Sequence, residues 1–86
     1  MRHFTIPDYW NYYQELPNKI QYFADKNFKI LKENPRHPSL QLKKVKMYWS
    51  VRGGDHYRAL GVDEKSGQGI LWFWIGSHAE YDKLIN

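Results

Sequence analysis

The run Ile70-Leu71-Trp72-Phe73-Trp74-Ile75 is apolar at odd and even positions alike. A half-solvated strand alternates, whereas a buried one does not, so this run predicts the central strand of a sheet. Gly76-Ser77 ends it, with Ser77 placed to cap a short last helix from His78 to Ile85. Upstream, Asp63 to Gly69 holds two acids, Ser66 and two glycines, the composition of a turn. Tyr57 to Val62 reads as the strand before it, and Gly53-Gly54-Asp55 as the hairpin turn before that. Tyr48 to Arg52 alternates, with Trp49 and Val51 on one side and Tyr48, Ser50 and Arg52 on the other. Earlier still, Leu40 and Leu42 alternate with Gln41 and Lys43 until the pattern slips at Lys44-Val45-Lys46. Four strands result.

The period changes ahead of Pro35-Arg36-His37-Pro38. Ile20, Phe23, Ala24, Phe28 and Leu31 recur at helical intervals, and Lys19, Lys26, Lys29, Lys32 and Glu33 fill the opposite side. Asn34-Pro35 ends that helix. Thr5-Ile6-Pro7-Asp8 starts an earlier one, with proline in the first turn and an acid at the positive end of the dipole. Tyr9, Trp10, Tyr13 and Leu16 supply its apolar stripe, and Pro17 separates the two helices. The expected architecture is α+β: an N-terminal helical hairpin packed on a four-stranded antiparallel sheet, with a short C-terminal helix.

Eighty-six residues fit one domain, spanning 1–86. A chain this short has a marginal core, but four Trp, seven Tyr and four Phe bury more area than aliphatic residues would. The absence of cysteine removes disulfides, thiol catalysis and cysteine-based zinc sites. Four scattered histidines lack metal-ligand spacing, and no glycine-rich stretch is followed by the lysine-serine start of a phosphate-binding helix. No cofactor or metal is therefore expected. Ile70 to Ile75 is far too short to span a membrane, and residues 1–7 contain no apolar run of signal-peptide length, so a cytoplasmic protein is expected.

The net charge of +4 is unevenly spread. Residues 19–58 hold ten bases against three acids, whereas both flanks are net acidic. Such a block suits a polyanion, because lysines near phosphates release condensed counterions. A solvated helix face with a lysine-rich edge strand would produce the same count. Lys43, Lys44, Lys46 and Arg52 are the candidate RNA contacts, since basic residues with Tyr48 and Trp49 between them suit single-stranded RNA.

Two residues stand out for chemistry. His78 directly follows a buried strand, where a rigid scaffold presents reactive groups, and imidazole exchanges protons near neutral pH. An exposed histidine in a terminal helix would look the same. Arg58 lies inside the otherwise apolar strand Ala59-Leu60-Gly61-Val62 and must reach a carboxylate, a carbonyl or solvent. It either binds a phosphate or pairs with Asp55, Glu80 or Asp82. Tyr81, three residues after His78, either orients a proton-transfer group or packs. His37 reads as structural; His56, at a hairpin tip, has no assigned role.

Together, Asn34-Pro35-Arg36-His37-Pro38-Ser39-Leu40, Leu42-Lys43-Lys44, Trp49-Ser50-Val51-Arg52, Tyr57-Arg58-Ala59-Leu60 and Trp74-Ile75-Gly76-Ser77-His78-Ala79-Glu80-Tyr81 resemble the RelE/ParE toxin superfamily over nearly the whole chain. The resemblance implies a toxin of a type II toxin–antitoxin system, neutralised by a cognate antitoxin. It also implies a metal-independent endoribonuclease that cuts messenger RNA in the ribosomal A site, leaving a 2′,3′-cyclic phosphate. Arg58 then matches the family's catalytic arginine, and His78 the histidine or arginine after the last strand. Tyr81 joins them, although it lies closer to His78 than the RelE branch's aromatic residue lies to its arginine. Ser50 stands where the RelE branch has lysine, which makes a histidine-containing branch the better match. The chain is also expected to enter its first helix at once, without that branch's long initial strand. Two alternatives remain: a ParE-like inhibitor of DNA gyrase, and a catalytically silent homologue that only binds antitoxin.

Overall fold

The computed structural model describes residues 2–86. Strand β1 (Arg2–Thr5) leads into helices α1 (Pro7–Gln14) and α2 (Asn18–Glu33). After a 3₁₀ turn at Pro38–Leu40 come β2 (Lys43–Val45), β3 (Tyr48–Gly54), β4 (Tyr57–Asp63), β5 (Gly69–Ser77) and α3 (His78–Ile85). The sheet has five strands in the order β1-β5-β4-β3-β2. It is mixed, not purely antiparallel: β1 runs parallel to β5, pairing Arg2 with Gly69 and Thr5 with Trp72.

That first strand corrects the expectation of four strands and immediate entry into a helix. Arg2-His3-Phe4-Thr5 is only four residues long and has no turn beside it. Nothing local marks it as extended, and its hydrogen bonds come from a strand more than sixty residues away. The apolar run in β5 consequently lies between β1 and β4, with β4 at the centre of the sheet. The first antiparallel strand is also shorter than the alternation predicts. Leu40 ends the 3₁₀ turn, and Gln41 follows at φ 48 in the left-handed region.

The helices hold their expected places in the chain. They do not form a self-packed hairpin, because α1 rests chiefly on β5 and α2 on β3. Two polar links join them: the Tyr13 hydroxyl donates to Asp25, and Gln21 Nε2 donates to the Tyr13 carbonyl at 3.1 Å. Tyr9, Leu16, Ala24, Leu31 and Leu40 close over Val51, Ala59, Ile70, Trp72 and Ile75 to make the larger core. The leucine, isoleucine and valine members contribute about 1.5–3 kcal/mol each by burial.

The other face of the sheet carries a smaller core of Leu60, Trp74 and Tyr81, with Tyr48, Phe73 and Ile85 at its margin. A bulge explains why β5 is apolar throughout. Leu60 pairs with Trp74 and the next residue, Gly61, pairs with Trp72, so Phe73 is the extra residue. Phe73 thereby joins Trp74 on the α3 side, while Trp72 fills the α1–α2 side. Gly61 is required there, since a Cβ would lie 2.9 Å from Trp72 Cε3 and closer still to Ile70. At the strand's end Ser77 forms a capping box with Glu80: Ser77 Oγ accepts from the Glu80 amide at 3.2 Å and the Glu80 carboxylate accepts in return. This fixes the first residue of α3, which is His78.

Candidate functional site

Strand register assembles the site. Arg52 of β3 pairs with Arg58 of β4, and Arg58 pairs with Gly76 of β5. The next step toward the hairpin tip pairs Tyr57 with Ser77, and the His78 amide donates to the His56 carbonyl at 2.6 Å. The β3–β4 turn and the start of α3 therefore meet at one end of the sheet. Between them lies a concavity of about 270 Å³, walled by Gln41, Arg52, His56, Tyr57, Arg58 and His78.

Arg58 is the organising residue. Strand parity turns it toward the α3 face, and its side chain is 5% exposed. Nε donates to Ser50 Oγ at 2.7 Å and Nη2 to the Gln41 carbonyl at 3.1 Å. The guanidinium carbon lies 5.3 Å from the centre of the Tyr81 ring, a cation–π contact. No carboxylate reaches it among the described residues. Asp55 pairs with Arg52, Glu80 with the Ser77 cap and Asp82 with His78, which accounts for all three acids that could have neutralised it. Burial pulls its pKa below the ordinary arginine value; Tyr81 opposes that pull and Arg52 adds to it, yet a guanidinium keeps its charge. A buried cation held by neutral acceptors, with an open concavity beside it, is chemically able to receive an anion.

His78 stands at the rim. Its Nδ1 lies 3.2 Å from Asp82 Oδ2, one helical turn along α3, so Nε2 is the ring nitrogen not paired with that carboxylate. Its ring centre is 5.6 Å from that of Tyr81. Tyr81 itself is only 3% exposed, and its hydroxyl is buried without a partner. It underlies both Arg58 and His78.

The basic candidates divide by position. Arg52 faces the concavity and is paired with Asp55. Lys43 is in register with Ser50 and so belongs to the Arg58 side of β2. Lys44 lies on the opposite side, 2.8 Å from Asp63 and over the Trp49 ring. Lys46 occupies the β2–β3 turn at φ 57 and donates to the Ile85 carbonyl at 2.6 Å, at the end of α3.

Two members of the site carried no signal in the sequence. Gln41 contributes its backbone carbonyl to Arg58 from a left-handed position that the alternation had placed within a strand. His56 also adopts a left-handed conformation, φ 65, and lines the concavity. A histidine directly after Gly53-Gly54-Asp55 marks only a turn, unless the pairing of Tyr57 with Ser77 is known.

No protein-family model matches the sequence, and no curated protein matches it. Among solved structures the fold is similar to a chain of the RelB–RelE antitoxin–toxin complex from Methanococcus jannaschii, with a TM-score of 0.71 at 11% identity, covering 96% of this chain and 99% of that one. It is also similar to the YoeB/ParE toxin from Agrobacterium tumefaciens, with a TM-score of 0.66 at 19% identity over 91% and 99% of the two chains. The isolated E. coli RelE toxin superposes with a TM-score of 0.61 at 13% identity, over 98% and 97%. An α+β domain with a five-stranded mixed sheet, similar over nearly its whole length to these three proteins, has the RelE/ParE toxin fold.

Proposed function

We propose that this protein is the toxin of a toxin–antitoxin pair and cleaves messenger RNA in the ribosomal A site. The observation that carries the reading is Arg58: a buried guanidinium without a carboxylate, opening onto a concavity that Arg52 and His78 share. In the proposed reaction a 2′-hydroxyl attacks the adjacent phosphate in line. Arg58 stabilises the charge that accumulates on the phosphorane, in a geometry already set by Ser50 and Gln41. His78 protonates the departing 5′-oxygen from Nε2 while Asp82 holds Nδ1. The products are a 2′,3′-cyclic phosphate and a free 5′-hydroxyl, with no metal involved. A cognate antitoxin suppresses the activity by covering the basic concavity with acidic or apolar segments.

Primer extension on a defined messenger in a reconstituted translation system tests this. The expected result is cuts within the A-site codon that require ribosomes and weaken sharply in His78→Ala. Cuts that persist in His78→Ala would keep the enzyme and remove its acid. An absence of cuts in the wild type would overturn the reading, leaving gyrase inhibition or simple antitoxin binding.

A further inference from the structure

Cleavage by an internal hydroxyl moves two protons, and His78 accounts for one of them. We infer that His56 accepts the other, as the general base that activates the 2′-hydroxyl. This rests on the cleavage reading above and adds a residue to it. The groups walling the concavity leave little choice. Arg52 and Arg58 are permanently protonated, Gln41 has no basic atom, and Tyr57 presents a neutral phenol. His56 and His78 are the two side chains there that can accept a proton near neutral pH.

The backbone supports the assignment. His56 occupies the left-handed region at φ 65, which few side-chain-bearing residues adopt and which histidine enters more readily than most. The hairpin nevertheless holds it there, because the Gly54–Tyr57 and Tyr57–Ser77 pairs flank it and its carbonyl accepts from the His78 amide. That hydrogen bond also sets the spacing of the two histidine backbones. The turn therefore brings a second histidine to the concavity beside His78.

In the reaction, neutral His56 removes the proton from the 2′-hydroxyl as the bond from that oxygen to phosphorus forms. The bond from phosphorus to the 5′-oxygen breaks, and protonated His78 supplies the proton to that leaving oxygen. The enzyme is left with a protonated His56 and a neutral His78, and solvent exchange restores both. The charged and titratable groups around the pair are Arg52 and Asp55 from the hairpin, Tyr57 and Arg58 from β4, and Tyr81 and Asp82 from α3.

The test is the pH dependence of ribosome-dependent cleavage for wild type, His78→Ala and His56→Asn. Asparagine tolerates the left-handed conformation but cannot act as a base, so His56→Asn should melt no lower than wild type. The wild-type profile should be a bell. His56→Asn should cleave roughly 10²-fold or more slowly and lose the limb that rises from acid toward neutral pH, the signature of a missing base. His78→Ala should lose the limb that falls toward alkaline pH. A folded His56→Asn that keeps the wild-type rate, or keeps the rising limb, overturns the assignment while leaving the ribonuclease in place. A wild type that makes no cuts overturns both.

Discussion

At the scale of single residues, the buried Arg58 and the half-buried His3 have opposite consequences. Arg58 spends hydration without gaining a carboxylate, so its charge is of little use to folding. Arg58→Met leaves the buried Ser50 hydroxyl and the Gln41 carbonyl without their donor and should cost about 1–3 kcal/mol of stability. The same change should lower cleavage by roughly 10²–10³-fold if the guanidinium contacts the phosphorane. Thermal melts beside primer extension would separate the two effects, and a large loss of stability would make Arg58 a structural residue. His3 is half-buried against Trp72, whose Nε1 donates to His3 Nδ1 at 3.0 Å, while Nε2 is buried without a partner. Burial holds its pKa below the ordinary value of 6.5, with Lys32 contributing. The folded state thus binds a proton less readily than the unfolded chain. The associated stability is complete above 6.5 and is lost as pH falls below that value toward the folded pKa. Melting temperature should fall on acidification through this window, and less steeply in His3→Gln.

At the scale of elements, β1 is the part of the fold that depends most on one neighbour. A Cβ at Gly69 would overlap the backbone carbonyl of Arg2, the first pair of the parallel ladder. Gly69→Ala should detach β1 and leave the antiparallel strands intact. Amide exchange should accelerate at residues 2–5, while β4 stays protected. Equal protection of residues 2–5 in both proteins would contradict this account. The other elements were legible because their signals are local. α2 shows a helical apolar stripe, β3 alternates, and Ser77 lies three residues before Glu80 as a capping box requires. β1 has no such pattern, and Phe4 alone cannot define a face. The rest of its structure comes from β5.

At the scale of the molecule, charge is sorted by topology more than by sequence. Lys43, Lys44 and Lys46 are neighbours in the chain but point to three different environments. Lys44 is neutralised by Asp63, and Lys46 completes the carbonyl end of α3. If a polyanion occupies the Arg58 face, Lys43→Ala should reduce the slope of log affinity against log salt by about one. Lys44→Ala and Lys46→Ala should change it by less than about half of that. Ribosome binding measured across a salt series would show the difference, and equal slopes for all three would place the RNA elsewhere.

The sequence by itself determined the α+β class, both N-terminal helices, the three longer antiparallel strands and the capped last helix. These depend on hydrophobic period, proline and glycine positions and short-range hydrogen bonds, which are readable within a few residues. It also marked Arg58 and His78 as chemically unusual, because a cation in an apolar strand and an imidazole at a strand end conflict with their surroundings. Only the tertiary structure decided what Arg58 touches, that Tyr81 lies beneath it, and that Gln41 and His56 belong to the same concavity. Those contacts depend on which strands pair and in what register, and on a bulge that turns Phe73 and Trp74 to one face. Register is settled by the collective packing of side chains from distant segments, so no local stretch of the chain contains it.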